Sequence, residues 1–379
     1  MIKVVLTGDN HFGRRYERYP DVKDVLVESR YESFKQAVKI ANDSGADFFV
    51  VAGDLFDRIS GITREQTARI VDILAGFGGT VLVLPGNHDY YSGDEQVWKY
   101  FDEESAHSGV DILLLNEYRP YEFTVREEKI AFYPAFCRSK HGEKNNLGWI
   151  RRLGLIRDET YRVGVAHGAI EGITPDRQKE YFLMTTDELE ELEMDAWLLG
   201  HTHVIYPSLL KEELSEVGRI FNAGTHEQMD LGTDTDGFCI VLELEKNGKH
   251  SKVRARKVRT GRIKFEDIRL ELQNAGETAL EKAFKEIKPR LTQNTVARIT
   301  ITGAIEAEEY NNRSDIYDEY TGDCLSCEIA DEELGELITR EMIGREFAET
   351  SFAAKLLEAL MDEPREAQMV YELINREGR

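Results

Sequence analysis

Through the first half of the chain, short fully apolar runs alternate with stretches in which apolar residues recur every three or four positions. That alternation predicts an α/β fold. Ile2 to Leu6 reads as a strand, Tyr31 to Ala41 as a helix with Phe34, Ala37, Val38 and Ala41 on one face, and Phe48 to Val51 as the next strand, together a βαβ unit. Thr63 followed by Gln66 three residues later is a capping-box pattern, and Ile70, Ile73 and Leu74 give the helix behind it an apolar stripe. Thr80 to Leu84 is a third strand. Further strands are predicted at Asp111 to Leu115, Ile130 to Phe136, Arg162 to Ala166, Ala196 to Leu199, Arg219 to Asn222 and Phe238 to Leu244. So many strands imply a mixed or double sheet rather than one simple wound sheet.

After Lys246-Asn247-Gly248-Lys249 the pattern changes. A strand at Ile268 to Leu272, a helix at Glu277 to Leu291 and a strand at Ala297 to Ile301 predict a small separate α/β unit over 246–303. Residues 304–379 read as an acidic, mostly helical region: Glu346 to Met361, a break at Pro364, then Gln368 to Arg376. Phe347, Phe352, Leu356, Leu357 and Leu360, then Val370, Tyr371 and Ile374, form apolar stripes. Such stripes serve either the protein's own core or a partner's coiled coil.

The chain of 379 residues is long enough for two or three units that bury cores without disulfides. Its net charge of −23 argues superficially against a polyanionic partner, but the charge is unevenly spread. Gly303 to Pro364 holds eighteen acids against four bases, whereas Lys252 to Lys264 holds seven bases and no acid. The basic stripe suits either phosphate neutralisation or the solvent face of an edge strand. No apolar run approaches the ~20 residues that cross a bilayer, and the N-terminus carries no signal-peptide core, so a cytoplasmic protein is expected, with no membrane partner. Four cysteines fit a reducing compartment. Cys324 and Cys327 have ligand spacing but lack a second pair, and are read as two ordinary thiols.

Five short motifs carry chemistry: Asp9-Asn10-His11, Gly53-Asp54-Leu55-Phe56-Asp57, Gly86-Asn87-His88-Asp89, His167, and Gly200-His201-Thr202-His203. The first three and His167 end predicted strands, where open α/β sheets place ligands. Asp9, His11, Asp54, Asn87, His167, His201 and His203 make a mixed imidazole and oxygen donor set too rich for one tetrahedral ion, so two metals fit better. One carboxylate, Asp54, is the candidate bridge, and such a pair clamps the attacking and leaving oxygens of a phosphoryl transfer. Glycines before Asp54, Asn87 and His201 permit the tight turns that bring separate strands onto one point.

These motifs resemble the set of the calcineurin-like metallophosphoesterases over residues 1–245. The resemblance implies a two-sheet sandwich flanked by helices, with a dinuclear centre at the sheet edge. By motif, Asp9, His11, Asp54 and His203 would hold one metal, and Asp54, Asn87, His167 and His201 the other. His88 would face the scissile phosphate as an imidazolium, oriented by Asp89, while activated hydroxide attacks phosphorus. Two divalent ions are implied, manganese first, with iron or zinc as alternatives.

Within the superfamily, Asp9-Asn10-His11-Phe12-Gly13, Arg30-Tyr31-Glu32-Ser33-Phe34 and Val51 to Asp57 are most similar to the SbcD-type exonuclease subunits of double-strand-break repair. Archaeal and eukaryotic members carry histidine where Asp57 stands. The resemblance implies DNA as substrate, a small capping domain over 246–303, helices in 304–379 that grip an SMC-like coiled-coil ATPase of the SbcC type, and a homodimer. Arg14 and Arg15, just after His11, are candidate anchors for substrate phosphate. The competing expectations are a small-molecule or nucleotide phosphoesterase, and a scaffold without catalysis.

Overall fold

The computed structural model describes residues 1–154, 160–174, 176, 178–233, 235–247, 250–272, 278–361 and 363–377. The chain forms two compact units, Met1–Ile263 and Lys264–Arg379. None of its helices, among the described residues, is long and apolar enough to cross a membrane.

The first unit contains β1 (Ile2–Thr7), α1 (Lys23–Asp43), β2 (Phe48–Ala52), α2 (Arg64–Ala75), β3 (Thr80–Leu84), α3 (Gln96–His107), β4 (Ile112–Leu114), β5 (Tyr121–Val125), β6 (Glu128–Ala135), α4 (Gly148–Leu153), β7 (Tyr161–His167), α5 (Thr186–Glu191), β8 (Ala196–Gly200), β9 (Ile205–Tyr206), β10 (Ile220–Ala223), β11 (Phe238–Asn247) and β12 (His250–Arg259). Its strands form two six-stranded sheets, ordered β12-β11-β1-β2-β3-β4 and β5-β6-β7-β8-β10-β9. This is the double sheet that the strand count predicts.

Strict alternation explains why the central strands are apolar throughout. Val4, Leu6, Phe48, Val50, Leu82 and Leu84 join Phe132, Val163, Val165, Leu198 and Phe221 of the other sheet in one core. Their neighbours Val5, Phe49, Val51, Val81 and Val83 pack the opposite way, with Phe34, Ile70, Leu74 and Trp98 of α1, α2 and α3. Trp197 and Leu199 likewise face Trp149, Ile150 and Leu189 on the far side of the second sheet. The layering is therefore helix, sheet, sheet, helix, with every central strand buried on both faces. The capping box at α2 forms as read, Thr63 accepting from Gln66 N and Gln66 returning to Thr63 N.

Two readings change. The basic stripe does not open a capping unit: residues 250–259 are the edge strand β12, paired antiparallel to β11 over its full length. Its alternate bases face solvent, with Lys252 on Glu216 and Arg254 on Glu243. Gly248 and Lys249, like Glu277, lie outside the described residues.

The second unit holds β13 (Lys264–Leu272), α6 (Ala279–Ile287), β14 (Thr295–Ile305), α7 (Ala307–Asn311), α8 (Arg313–Thr321), β15 (Ser326–Glu336), α9 (Arg340–Glu346), α10 (Phe352–Ala359) and α11 (Pro364–Glu377). The acidic region is thus not all helical, because β15 is an eleven-residue strand parallel to β14. Five acids from Glu328 to Glu336 break its apolar pattern, leaving Ile329 and Leu334 to meet the core. Cys324 and Cys327 pack at the rim of that core as free thiols. Of the C-terminal stripes, Leu357 is buried, Phe347, Leu360, Val370, Tyr371 and Ile374 pack against its cluster, Leu356 is half-buried and Phe352 is exposed; Met369 and Leu373, outside the stripes, are exposed as well.

Candidate metal centre

Five motifs meet because the parallel strands of both sheets deliver their C-terminal ends to one edge of the sandwich. Asp9 and His11 follow β1, Asp54 follows β2, Asn87 follows β3, His167 ends β7, and His201 and His203 follow β8. The sheets approach closely here: the His167 Nδ1–H donates to Ala52 O at 2.8 Å across the two sheets. A Cβ on Gly53 would lie 2.1 Å from His167 Nδ1, and one on Gly200 2.0 Å from Ala52 O, so only glycine fits at either position.

The local backbone is strained where it aims side chains. Asp9, His11, Asp54, His201 and His203 all have φ between 47° and 95°, a region that costs a non-glycine residue about 1–3 kcal/mol. A short ladder offsets this, with Asp9 N on Gly53 O at 3.0 Å, His11 N on Asp54 O at 2.9 Å and Phe12 N on Leu55 O at 2.9 Å.

Among the described residues three groups of donors result, each with its ligand atoms within 4.8 Å of one another: Asp9, His11 and His203; Asp54, His167 and His201; and His11, Asp57 and His88. In the first, His11 Nε2 lies 3.2 Å from His203 Nε2, and His203 Nε2 lies 3.4 Å from Asp9 Oδ1. In the second, His167 Nε2 and His201 Nδ1 converge on Asn87 Oδ1 at 3.0 and 2.9 Å. Asp54 stands between them. Its Oδ1 accepts from His88 N at 2.8 Å, while Oδ2 lies 3.3 Å from His167 Nε2 and 3.8 Å from His11 Nε2.

Proton counting tests whether this set suits cations. A neutral His167 has spent its one N–H on Ala52, so its Nε2 lone pair faces the oxygens of Asn87 and Asp54. Two imidazole nitrogens likewise face each other at 3.2 Å, and Asp54 Oδ2 is buried with no hydrogen-bond partner. Lone pairs aimed at common points are costly unless a cation lies between them, and imidazole with carboxylate is a transition-metal donor set. The field agrees. Burial opposes charge, yet the imidazoles of His167 and His11 hold Asp54 well below the usual carboxylate range. Burial also works against the His167 cation, but Asp54 outweighs it and raises His167 to about 9.

The remaining predicted residues fall out differently. His88 is half-buried, its ring 4.9 Å from His11, and its Nδ1–H donates to Asp57 O at 2.9 Å. Asp89 does not orient it: the Asp89 carboxylate accepts from Gly86 N at 2.6 Å and Phe56 N at 2.9 Å, fastening the third motif's loop to the second's. Burial and the neighbouring Asp54 charge push Asp89 up to about 8. Arg14 is tied to Asp230 at 2.8 Å, and Arg15 is largely exposed beside Glu17.

Three further residues contribute. Asp57 places its carboxylate 3.5 Å from His11 Nδ1 and completes a cluster with His11 and His88. Arg30, buried in α1, donates to the Asn10 carbonyl at 3.0 Å and to Tyr16 Oη at 3.2 Å. His226 is fully buried and accepts from Asn10 Nδ2 at 2.9 Å while donating to Arg30 O at 2.9 Å. Asp57 was visible as the last residue of its motif and Arg30 as the first residue of a segment that carries the family resemblance, whereas His226 lies far from the motifs and carried no local signal.

A family model described as calcineurin-like phosphoesterase matches residues 2–205. The uncharacterized metallophosphoesterase YhaO of Bacillus subtilis is 27% identical over 183 residues, 47% of this chain and 42% of that protein. The double-strand break repair protein MRE11 of Encephalitozoon cuniculi is 23% identical over 331 residues, 75% of this chain and 52% of that protein. The chain spans about half the length of these curated relatives. Among solved structures, the calcineurin-like phosphoesterase YfkN from Bacillus subtilis aligns over 68% of this chain and 90% of that one, with 14% identity and a TM-score of 0.40.

Proposed function

We propose that this chain, which belongs to the calcineurin-like phosphoesterase family, is a dinuclear-metal-dependent phosphodiesterase that cuts DNA as the nuclease subunit of an SbcCD-like repair complex. The observation that carries the reading is Asp54 Oδ2, buried, unpartnered, and facing a histidine of each donor group. Asp9, His11, Asp54 and His203 would hold one divalent ion, and Asp54, Asn87, His167 and His201 the other, with manganese the first choice and iron or zinc the alternatives. Such a pair supplies Lewis acidity at the phosphoryl oxygens and activates water.

The chain's own groups do the rest. Asp9 accepts from His201 N with both oxygens, at 3.0 and 2.9 Å, so the Gly200-His201-Thr202-His203 motif is pinned to the first loop. The Asp57 carbonyl fixes His88 with its proton on Nδ1, leaving Nε2 as the nitrogen that meets substrate and, when protonated, stabilises phosphoryl charge or protonates the leaving oxygen. DNA as the polymer is supported by the similarity to MRE11. A coiled-coil ATPase of the SbcC type and a homodimer belong to the same reading, and the exposed Phe352, Met369 and Leu373 at the C-terminal helices support a partner there.

Hydrolysis of end-labelled single- and double-stranded DNA with manganese tests this, with a bis-aryl phosphodiester in parallel. DNA cleavage that disappears in His88→Ala is expected. Aryl ester turnover with DNA untouched, with the ATPase partner also supplied, would discard the nuclease reading.

A further inference from the structure

Beside the donor set lies an open cleft of about 560 Å³, walled by residues 14–19, 57–58 and 229–232. Asp57 is common to both: it lines the cleft and belongs to the cluster with His11 and His88. The cleft therefore opens on the side of the centre that carries His88. Its volume falls in the range of sites that enclose a nucleotide-sized ligand.

Four guanidinium groups, Arg14, Arg15, Arg18 and Arg58, line this space. Arg14 is structural: its 2.8 Å bond to Asp230 ties the first wall to the third, and Asp230 Oδ1 in turn accepts from Gly232 N and Thr233 Oγ1. Tyr16 anchors the first wall through Arg30, whose other nitrogens hold Asn10 between the ligands Asp9 and His11. The wall and the metal loop are thus one braced piece, formed in advance of any ligand. Arg15 and Arg58 remain accessible at 62% and 41% exposure, Arg15 3.9 Å from Glu17 and Arg58 3.0 Å from the Asp57 carboxylate. The Arg15–Glu17 pair is exposed on both sides and contributes at most about 1 kcal/mol, so a phosphate can replace it, while Arg58 spends Nη2 on Asp57 and has further guanidinium donors to offer a ligand. The fork of an arginine matches a phosphate oxygen pair better than a lysine does.

The charge distribution makes this placement matter. A chain of net charge −23 repels polyanions at long range, so any phosphate chain must be held by a local cationic feature. The bases of the edge strand β12 do not line the cleft beside the donor set, whereas Arg15 and Arg58 do. We infer that the cleft seats the phosphate adjacent to the one cleaved, through Arg15 and Arg58, and that the substrate is a polynucleotide strand of consecutive phosphodiesters rather than an isolated diester. This rests on the phosphodiesterase reading of the metal centre.

The test is binding of a fluorescein-labelled oligothymidylate to the full chain in EDTA, by anisotropy over a range of salt. Arg15→Gln/Arg58→Gln should weaken binding about tenfold at low salt and reduce the log–log salt slope by about 1.4, two single-strand phosphate contacts. Arg15→Gln alone, at an exposed position where folding is not at stake, should reduce the slope by about 0.7. Lys252→Gln/Arg256→Gln, with the same charge change on β12, should leave both within twofold. No binding by the unaltered chain, an unchanged slope in the cleft variants, or an equal loss in the β12 pair overturns the inference. Because the assay contains no metal and reads no turnover, strand binding through the cleft without manganese-dependent hydrolysis would count against the nuclease reading alone.

Discussion

The guanidinium of Arg30 holds the main-chain carbonyl of Asn10 through both Nε, at 3.0 Å, and Nη2. Asn10 sits between two ligand candidates with left-handed backbone, Asp9 at φ 49° and His11 at φ 47°. A loop strained on either side of one residue is clamped at that residue by a buried cation.

Arg30→Met removes the clamp without removing volume. It should cost about 2–3 kcal/mol of stability, the worth of charge-assisted bonds to buried acceptors. It should also weaken manganese binding 10–100-fold, as loss of an outer support does. Arg30→Lys keeps the charge but not the fork and should rescue stability better than metal affinity. Denaturant melts and calorimetric manganese titrations of both variants check this; unchanged affinity in Arg30→Met would show the clamp to be structural only.

Asp57 acts on its two neighbours by different atoms. Its carboxylate lies by His11 Nδ1, whereas its carbonyl holds His88. Asp57→Asn should therefore weaken metal binding about tenfold or more while sparing the orientation of His88. At saturating manganese the kcat for a bis-aryl phosphodiester should stay within a few-fold of wild type, with the metal concentration for half-maximal activity raised.

Gly53 tests the close approach of the two sheets. At φ 94°, with His167 Nδ1 2.1 Å from the position of a Cβ, Gly53→Ala meets both backbone strain and a clash with a ligand candidate. A loss of about 3 kcal/mol or more is expected, together with loss of metal stoichiometry. A melt and a metal count on the purified variant suffice.

Asp89→Ala leaves the N–H groups of Gly86 and Phe56 buried without acceptors. About 2–4 kcal/mol should be lost in a denaturant melt. Because no bond joins Asp89 to the His88 ring, the variant's residual turnover should follow its folded fraction.

What could be read in advance follows from how each feature is encoded. The central strands were legible because Phe48 to Ala52 and Val81 to Leu84 bury both faces and so are apolar without interruption. Strand β15 was not: it fully buries only Leu334 and Gly335, and five of its eleven residues are acids, which read as a solvated helix. The basic stripe was ambiguous because an edge strand and a phosphate-binding row both ask for alternating bases. Ligand candidates announced themselves by short spacing at strand ends, each motif being one loop. The parts that brace those loops, Arg30 in α1 and His226 after β10, come from distant segments and are brought together only by the packing of α1 on the first sheet. The role expected of Asp89 failed for a related reason: adjacency to His88 in sequence gave no account of the Gly86 and Phe56 amides that claim its carboxylate.

Manganese stoichiometry tests the central claim most directly. Metal-free wild type and Asp54→Asn, each confirmed folded by circular dichroism, are titrated calorimetrically. With Asp54 as the shared ligand, wild type takes up two ions per chain and Asp54→Asn loses both sites or retains at most one, weakly. Two ions bound in Asp54→Asn with wild-type affinity would contradict a centre built around that carboxylate.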